Sequence, residues 1–200
     1  MDKFKAALEQ FVGRSGAQKV FDDGQPVSAR SSPKRKANWM KGAMERLDAL
    51  VDDESTRQQI MQCCSHRFPQ ARIKKLKREY ERHGDIDELL KYMQTDSSWY
   101  GLSYYEYPKR AGNIIYVTKI PYAPQRFEAS TTPEAKRRAY CHCGWVKASP
   151  TPISKTFCFC GSGWYKTLWE GILGKPVRVE VITTIVNGGD ECTFAIHLPD

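Results

Sequence analysis

Val177-Arg-Val-Glu-Val-Ile182 is the stretch of sequence that decides the fold. Its valines recur at every second position, which is typical of a β-strand with one buried face. Asn187-Gly-Gly-Asp190 follows as a turn, and Cys192-Thr-Phe-Ala-Ile-His-Leu198 offers a second strand. Glycine and asparagine between two such runs favour a hairpin. The sequence therefore predicts a β-hairpin near this end of the chain.

A second hairpin is predicted upstream, from Leu102-Ser-Tyr-Tyr-Glu-Tyr107 and Ile114-Ile-Tyr-Val-Thr118. Both runs are rich in aromatic or β-branched residues, and residues 108–113 supply turn chemistry between them. Before these strands, apolar residues at helical spacing predict four short helices between 37 and 94, the last capped by Asp85. Helices and strands in separate runs favour an α+β fold, an antiparallel sheet with helices packed on one face.

Two further helices are predicted beside the cysteines of the last third. Thr132-Pro-Glu134 combines an N-cap, a proline at the first helical position and an acidic first turn, so a helix begins near 133. A second, aromatic-rich helix is predicted from Gly163 to Leu173, and Gly174 ends it.

The first 36 residues are expected to form an N-terminal appendage. Phe4, Leu8 and Phe11 recur at helical spacing, which predicts a short docking helix over 2–13 that ends at Gly13. Residues 14–36 carry Gly, Ser, Pro and basic side chains and predict a mobile linker. We therefore expect a cysteine-rich α+β ligand-binding domain over 37–200.

The chain carries 31 basic and 23 acidic residues, a formal charge of +8. The excess lies in residues 1–36 and 65–83, where basic side chains outnumber acidic ones. Such runs fit either an acidic or nucleic-acid partner or an ordinary solvated surface. The solvated surface is the more frequent case, so nucleic-acid binding is not the expectation.

No uninterrupted apolar run approaches the roughly 20 residues that a membrane helix needs. The start, Met1-Asp-Lys-Phe-Lys5, leads into an amphipathic pattern and not into the apolar core of a secretory signal. We therefore expect a cytoplasmic protein without membrane contact. The oligomeric state stays open, a homodimer included.

Two Cys-x-Cys pairs, Cys141/Cys143 and Cys158/Cys160, are separated by fourteen intervening residues. Four sulfur ligands of this kind suit Zn²⁺ or, as an alternative, an iron–sulfur centre. Cys192 and His142 could replace or supplement a ligand. If residues 157–160 are extended, thiols line one face of that segment and aromatic rings the other.

Two other interpretations of the paired cysteines stay open. Free thiols could line a pocket, one of them nucleophilic because it precedes a helix, which would make Cys160 the nucleophile and His142 the base of a hydrolase. All four could also be small buried hydrophobic residues. Tight pairing favours chemistry over simple packing. Cys63 and Cys64 are adjacent on a predicted helix, so at most one of them can face the site.

Aromatic residues gather around the pairs and form a candidate ligand pocket. A pocket for a small apolar or aromatic ligand is lined in this way, and so is an ordinary core. The residues that would line it are Trp145, Phe159, Trp164, Tyr165 and Trp169.

Four segments carry a resemblance to a known group of proteins: Phe157-Cys-Phe-Cys-Gly-Ser-Gly-Trp-Tyr165, Leu168-Trp-Glu-Gly-Ile-Leu-Gly174, Val177-Arg-Val-Glu-Val181 and Gly188-Gly-Asp-Glu-Cys-Thr-Phe-Ala-Ile196. Together they resemble the C-terminal half of the 4-vinyl reductase type domain, a small-molecule-binding domain of bacterial and archaeal sensors and tetrapyrrole-related proteins. The ending is also similar to that of 2-amino-thiazoline-4-carboxylate hydrolase-like proteins. With both Cys-x-Cys pairs included, the chain resembles an uncharacterised bacterial family of the same general kind.

The resemblance implies a function and part of a ligand set. In zinc-bearing sensors of that group cysteines hold the metal, and the one in the final segment corresponds to Cys192. A further cysteine is expected eight residues earlier, where this chain has Thr184. The implied function is a sensor-like small-molecule-binding domain, with a metal held by Cys141, Cys143, Cys158, Cys160 and Cys192 near the aromatic pocket. A hydrolase of a small heterocyclic or amide substrate is the alternative.

Overall fold

The computed structural model describes residues 1–21, 27–28, 30–96 and 107–199. Helices make up the described part of the first half: α1 (Asp2–Phe21), α2 (Pro33–Leu50), α3 (Glu54–Cys63), α4 (Gln70–His83) and α5 (Ile86–Thr95). The second half mixes strands and helices: β1 (Lys109–Ala111), β2 (Ile114–Thr118), α6 (Pro124–Glu128), α7 (Pro133–Tyr140), α8 (Gly144–Ala148), α9 (Cys160–Leu173), β3 (Arg178–Thr183) and β4 (Thr193–His197). Two short 3-10 helices, Lys155–Phe159 and Ile185–Asn187, precede α9 and β4.

The strands form one antiparallel sheet in the order β1-β2-β4-β3. Alternate residues of β2 and β4 point inward: Val117 lies opposite Phe194, and both are buried. On the other face Tyr116 lies opposite Ala195, and Tyr116 is exposed. Helix α9 packs against β3 and β4 and also against α3 and α4. The fold is α+β with an antiparallel sheet and helices against its apolar face, as the sequence predicts.

Local sequence signals are confirmed at several helix ends. Asp85 caps α5 by accepting hydrogen bonds from the backbone N–H groups of Asp87 and Glu88. Thr132 caps α7 in the same way, and Pro133 is its first residue. Helix α9 ends at Gly174, whose positive φ of 67° suits glycine. The four helices predicted between 37 and 94 are α2 to α5.

The predicted linker over 14–36 is wrong at both of its ends. Helix α1 is bent at Gly13, where φ is 73°, and continues to Phe21 because Ala17 and Val20 form a further buried face. Ser32 accepts a hydrogen bond from the backbone N–H of Arg35 and starts α2 at Pro33, not near 37. Since Phe4, Leu8 and Val20 belong to the same core as the later helices, α1 is an integral part of the domain.

Two strand predictions also need correction. The upstream hairpin exists, but β1 is Lys109–Ala111, inside the predicted turn, and residues 102–106 lie outside the described residues. Residues 157–160 are not extended: a 3-10 helix begins after Ser154, whose hydroxyl accepts a hydrogen bond from the N–H of Thr156, and Cys160 starts α9. Thiols and aromatic rings therefore do not alternate there as on a strand.

Candidate functional site

The five late cysteines lie at the ends of elements, where loops converge. Cys141 follows α7, Cys143 precedes α8, and Cys160 opens α9. Cys158 lies in the 3-10 helix before α9, and Cys192 directly precedes β4. All seven cysteines of the chain are within the described residues, and all are free thiols.

Tyr140 brings Cys141 and Cys192 together. Its buried hydroxyl donates a hydrogen bond to the carbonyl oxygen of Lys119 and accepts one, of 2.9 Å, from the backbone N–H of Cys192. The N–H of Lys119 in turn donates to the carbonyl of Cys192, at 2.9 Å. Burial raises the pKa of the Tyr140 hydroxyl, which keeps it protonated and able to donate. The end of β2, the end of α7 and the start of β4 are thereby joined.

Cys141, Cys158 and Cys192 are here called the thiol triad, because, besides burial, Cys192 raises the pKa of both Cys141 and Cys158, and Cys141 raises the pKa of Cys158. Burial, together with the nearby thiols of Cys192 and Cys143, raises the pKa of Cys141 to about 12. Burial raises the pKa of Cys158 well above its usual range, with Cys192 and Cys141 among the contributing thiols. Burial also raises the pKa of Cys192. Each thiol of the triad is therefore protonated at neutral pH.

Lys119 is a cation that acts on these thiols. Its charge opposes the burial effect and lowers the pKa of Cys141, Cys158, Cys160 and Cys192. The ammonium group lies 5.3 Å from the centre of the Phe194 ring. A β-carbon at Gly161 would lie 3.7 Å from this ammonium group, an ordinary contact, but only 2.9 Å from the Phe194 ring, so the missing side chain leaves room for that ring. Sequence reasoning missed Lys119, because nothing near it in the chain marks it.

Backbone N–H groups donate hydrogen bonds to two of the sulfurs. The N–H of Ile185 lowers the pKa of Cys192, and the N–H of Gly161 lowers that of Cys160, although burial has the larger, opposite effect on both. Hydrogen bonds of this kind favour the thiolate form. Thr184, where the resemblance calls for a cysteine, is buried one residue from Ile185 and caps the 3-10 helix there. Position 184 is thus next to Cys192, but the hydroxyl of Thr184 has a structural role as a helix cap.

His142 and Cys160, the residues predicted for catalysis, have surroundings of their own. The ring nitrogen Nε2 of His142 lies 2.8 Å from the carbonyl oxygen of Ile120, and the ring meets Tyr122 edge-on at 5.6 Å. Burial lowers the pKa of His142, so its ring is neutral at pH 7. Burial raises the pKa of Cys160 to about 11. A protonated Cys160 is a poor nucleophile.

The predicted pocket residues divide into core and partly exposed side chains. Phe159, Tyr165 and Trp169 are buried, and Tyr165 packs on Phe194 with ring centres 4.8 Å apart. Trp164 packs on Phe68. Trp145 is stacked on Phe157 at 6.0 Å with nearly parallel rings, two residues from Cys143. Trp145 and Trp164 are therefore the ones that keep some exposed surface for a ligand.

Two cavities in the described part of the chain lie elsewhere. One, of about 490 Å³, is bordered by Ser32, Trp39 and Arg46 at the start of α2. The other, of about 450 Å³, runs along α1 beside Lys5 and Phe21. Neither contains a cysteine or a predicted pocket residue.

Within residues 1–21, 27–28, 30–96 and 107–199, no three His, Cys, Asp or Glu side chains stand in an arrangement that could hold a metal ion as they are. In the same ranges, no helix is both long and apolar enough to cross a membrane. Searches of protein-family models, curated proteins and solved structures found no match to this chain. The resemblance stated above therefore stays a prediction.

Proposed function

We propose that this chain is a small-molecule-binding domain that holds a soft metal ion, Zn²⁺ in the first instance, at the thiol triad. The observation that carries the proposal is that Tyr140, which directly precedes Cys141, accepts a hydrogen bond from the N–H of Cys192, and that, besides burial, the thiols of Cys141 and Cys192 both raise the pKa of Cys158. Thiols gathered from distant parts of a chain provide the soft sulfur donors that zinc prefers. An iron–sulfur centre uses the same donors and is the second candidate for the group bound.

The triad thiols are protonated at neutral pH, whereas metal ligation requires thiolates. Metal binding displaces their protons. Each sulfur can then turn toward the ion by rotation about one bond, since a cysteine side chain has a single rotatable torsion before its sulfur.

Charge balance also supports the triad as the metal position. Three thiolates around one Zn²⁺ leave one net negative charge, which is unfavourable in a buried site unless a cation compensates it. Lys119 supplies that cation and already acts on all three thiols. The N–H of Ile185, bonded to Cys192, stabilises the thiolate further.

A three-thiolate site leaves a fourth zinc position for another ligand. The rings of Trp145 and Phe157 are stacked; Trp145 lies two residues after Cys143 and Phe157 directly precedes Cys158, so an aromatic surface lies nearby. A small molecule with a sulfur, nitrogen or carboxylate donor and an apolar body would suit both features. This is the sensor-like function that the resemblance implies.

Metal analysis tests the proposal. Protein purified without chelator under anaerobic, reducing conditions is expected to contain about one zinc per chain, and below about 0.2 metal per chain the proposal fails. An absorption band near 400 nm with bound iron would instead assign an iron–sulfur centre. Cys141→Ser and Cys192→Ser are expected to lose the metal. Cys63→Ser, which removes an exposed thiol, is the matched control and keeps it.

The role of Lys119 has its own test. Lys119→Met keeps the length and apolar stem of the side chain but removes the charge, so zinc affinity should fall by at least about tenfold. Lys74→Met, on the exposed side of α4, removes the same charge away from the site and should leave affinity unchanged. Equal affinities in the two variants would contradict the charge argument.

The hydrolase alternative stays open through Cys160, which opens α9 beside Lys119. A nucleophile there needs activation, because its pKa is about 11. If turnover of a small heterocyclic amide is found and Cys160→Ser abolishes it while zinc stays bound, the alternative is supported. Turnover that survives this substitution excludes Cys160 as the nucleophile.

A further inference from the structure

We propose that the exposed face of α4 binds the phosphate backbone of double-stranded nucleic acid without reading its bases. The side chains that carry the inference are Lys74, Arg78 and Arg82 of the helix, together with Arg67 just before it. The inference concerns a surface that uses none of the thiols, so it does not depend on the proposed metal.

Helix α4 has one face in the core and one in solvent. Ile73 and Leu76 are buried, and the helix packs on α9 and α5. Lys74, Arg78 and Arg82 are exposed. Because residues four apart are neighbours on a helix surface, these three form one row along the exposed face, here called the basic row.

The basic row has the regularity of a nucleic-acid backbone. Its members are four residues apart, so they are about 6 Å apart along the axis and the row spans about 12 Å. A DNA strand places a phosphate about every 3.4 Å of axis, so the row is as long as about four phosphates. A rigid duplex presents that line already ordered, whereas a flexible single strand must lose conformational entropy to align. The row therefore suits a duplex.

The carboxylates close to the basic row are already engaged. On α4 itself, Glu81 forms an ion pair with Lys77 at 3.7 Å, and Glu79 forms one with Arg82 at 3.1 Å. Asp85, just beyond the end of α4, accepts hydrogen bonds from backbone N–H groups of α5. These carboxylates leave the middle of the row without a neutralising partner.

Lys74 and Arg78 form that middle part. In the described part of the chain neither has an ion pair with a carboxylate. Nε of Arg78 donates a hydrogen bond of 3.3 Å to the carbonyl of Lys74, which leaves the two terminal nitrogens, the fork that binds a phosphate with two bonds. Like charges four residues apart repel each other on a helix, and a bound phosphate would remove that repulsion.

The positive surface continues past the start of α4. Arg67 is exposed in the connection that precedes the helix. The ammonium group of Lys3, in the first turn of α1, donates a hydrogen bond of 3.0 Å to the carbonyl of Ser65, two residues from Arg67. The fold thus joins two basic segments that are far apart in sequence, which the sequence alone does not reveal.

An anionic membrane is the other polyanion that exposed basic helices bind. A helix that lies on a membrane inserts its apolar face among the lipids. The apolar residues Ile73 and Leu76 of α4 are 6% and 0% exposed, because they pack in the core. Helix α4 therefore offers charges but no apolar face for insertion, which favours nucleic acid.

Fluorescence anisotropy tests the inference. The full chain, kept reduced, is titrated into a fluorescein-labelled DNA duplex of about 20 base pairs at several salt concentrations. If three cations each neutralise one phosphate, the logarithm of the association constant should fall with the logarithm of salt with a slope of about −2.7. A duplex of different sequence should bind equally well, because phosphate contacts do not read bases. Absent binding at about 50 mM salt, or binding insensitive to salt, would overturn the inference.

Variants that remove one charge locate the duplex on the protein. Lys74→Gln and Arg78→Gln should each weaken binding by at least about fivefold at about 50 mM salt and make the slope shallower by about 0.9. Lys19→Gln, an exposed position in the last turn of α1, removes the same charge elsewhere and is the matched control. Equal losses in Lys19→Gln and Lys74→Gln would mean that only net charge matters, and the surface would be wrongly assigned. Urea unfolding should show all three variants as stable as the unsubstituted chain, since the side chains are exposed.

A vesicle assay separates nucleic acid from a membrane as the partner. Vesicles of phosphatidylcholine with roughly 30% phosphatidylserine should not sediment the protein at the salt concentration at which the duplex binds. Sedimentation that Lys74→Gln and Arg78→Gln abolish, without binding to the duplex, would overturn the inference and assign the surface to a membrane. The zinc content of these variants should equal that of the unsubstituted chain, so failure here and failure of the proposed function are distinguishable.

Discussion

The segments that carry the five late cysteines are joined to the rest of the fold by two different kinds of contact, one on the sheet side and one on the helix side. On the sheet side, one main-chain hydrogen bond, from the N–H of Lys119 to the carbonyl of Cys192, extends the pairing of β2 with β4, and Tyr140 bonds to both residues. On the helix side, α3 and α9 meet where Gly163 has no side chain, and Ser162 links them. The sheet side is held mainly by backbone hydrogen bonds, whereas the helix side can pack closely only because Gly163 has no β-carbon.

The largest effect should come from filling that helix contact. Gly163→Ala places a methyl group against the backbone of Gln62, so the helices must separate, and we expect a loss of about 3 kcal/mol in the free energy of unfolding. Gly144→Ala is the control, because no heavy atom lies within 4 Å of its added carbon. Urea unfolding measures both, and a Gly163→Ala midpoint equal to that of Gly144→Ala would show that the contact is not tight.

Loss of the Tyr140 hydroxyl, the side-chain link on the sheet side, should destabilise the protein less than Gly163→Ala does. Tyr140→Phe removes the acceptor for the Cys192 N–H and the donor to Lys119, which should lower the free energy of unfolding by about 2 kcal/mol. Tyr116→Phe removes a hydroxyl from the exposed face of the sheet and should change little. A Tyr140→Phe effect as large as that of Gly163→Ala would mean that the backbone pairing does not dominate there.

The thiols on both sides should make the metal-free protein sensitive to high pH. Burial raises the pKa of Cys64 and Cys141 from 9.0 to about 12. The unfolded chain releases protons in this range that the folded chain keeps, so stability falls as pH rises from about 9 to about 12. Each such thiol contributes a slope of about 1.4 kcal/mol per pH unit.

The contribution of a single thiol to that slope is measured by substitution. Urea unfolding of metal-free protein from about pH 8 to about pH 10.5 should show a shallower decline in Cys141→Ser than in the unsubstituted chain. Cys63→Ser, lacking only an exposed thiol, should follow the unsubstituted chain. Parallel curves for Cys141→Ser and Cys63→Ser would disprove the effect of burial.

The smallest effect is expected from the hydrogen bond between the helices. Gln62→Leu keeps the bulk of the side chain but removes the donor to Ser162, whose hydroxyl keeps its bonds to Gln58 and Phe159, so the loss should be about 1 kcal/mol. Gln59→Leu, one turn away and bonded only weakly to Ser55, is the control. If both variants are equally stable, the contact at Gly163 alone sets the register.

The parts of the fold that depend on neighbouring residues were predictable from the sequence. Asp85 and Thr132 cap helices through the N–H groups two or three positions on, and Gly174 ends α9 by its own backbone conformation. The same kind of signal was present at Ser32 and Ser154, where it was not recognised, and there the predicted linker and the extended segment were wrong.

The candidate site was predictable only in its cysteines. The paired spacing marks four of them, and the final segment marks Cys192. Lys119 carries no local signal, because its position follows from the pairing of β2 with β4.

The order of strands in the sheet has a consequence for the timing of assembly during synthesis. Strand β4 lies between β2 and β3 but is translated after both. Helices and the β1–β2 hairpin are local structures that can form while the ribosome is still elongating the chain, whereas pairing with β4 must wait. Because Cys192 directly precedes β4, the thiol triad is the last part of the domain to be completed. A metal ion bound as proposed at the thiol triad would therefore enter after the sheet has closed.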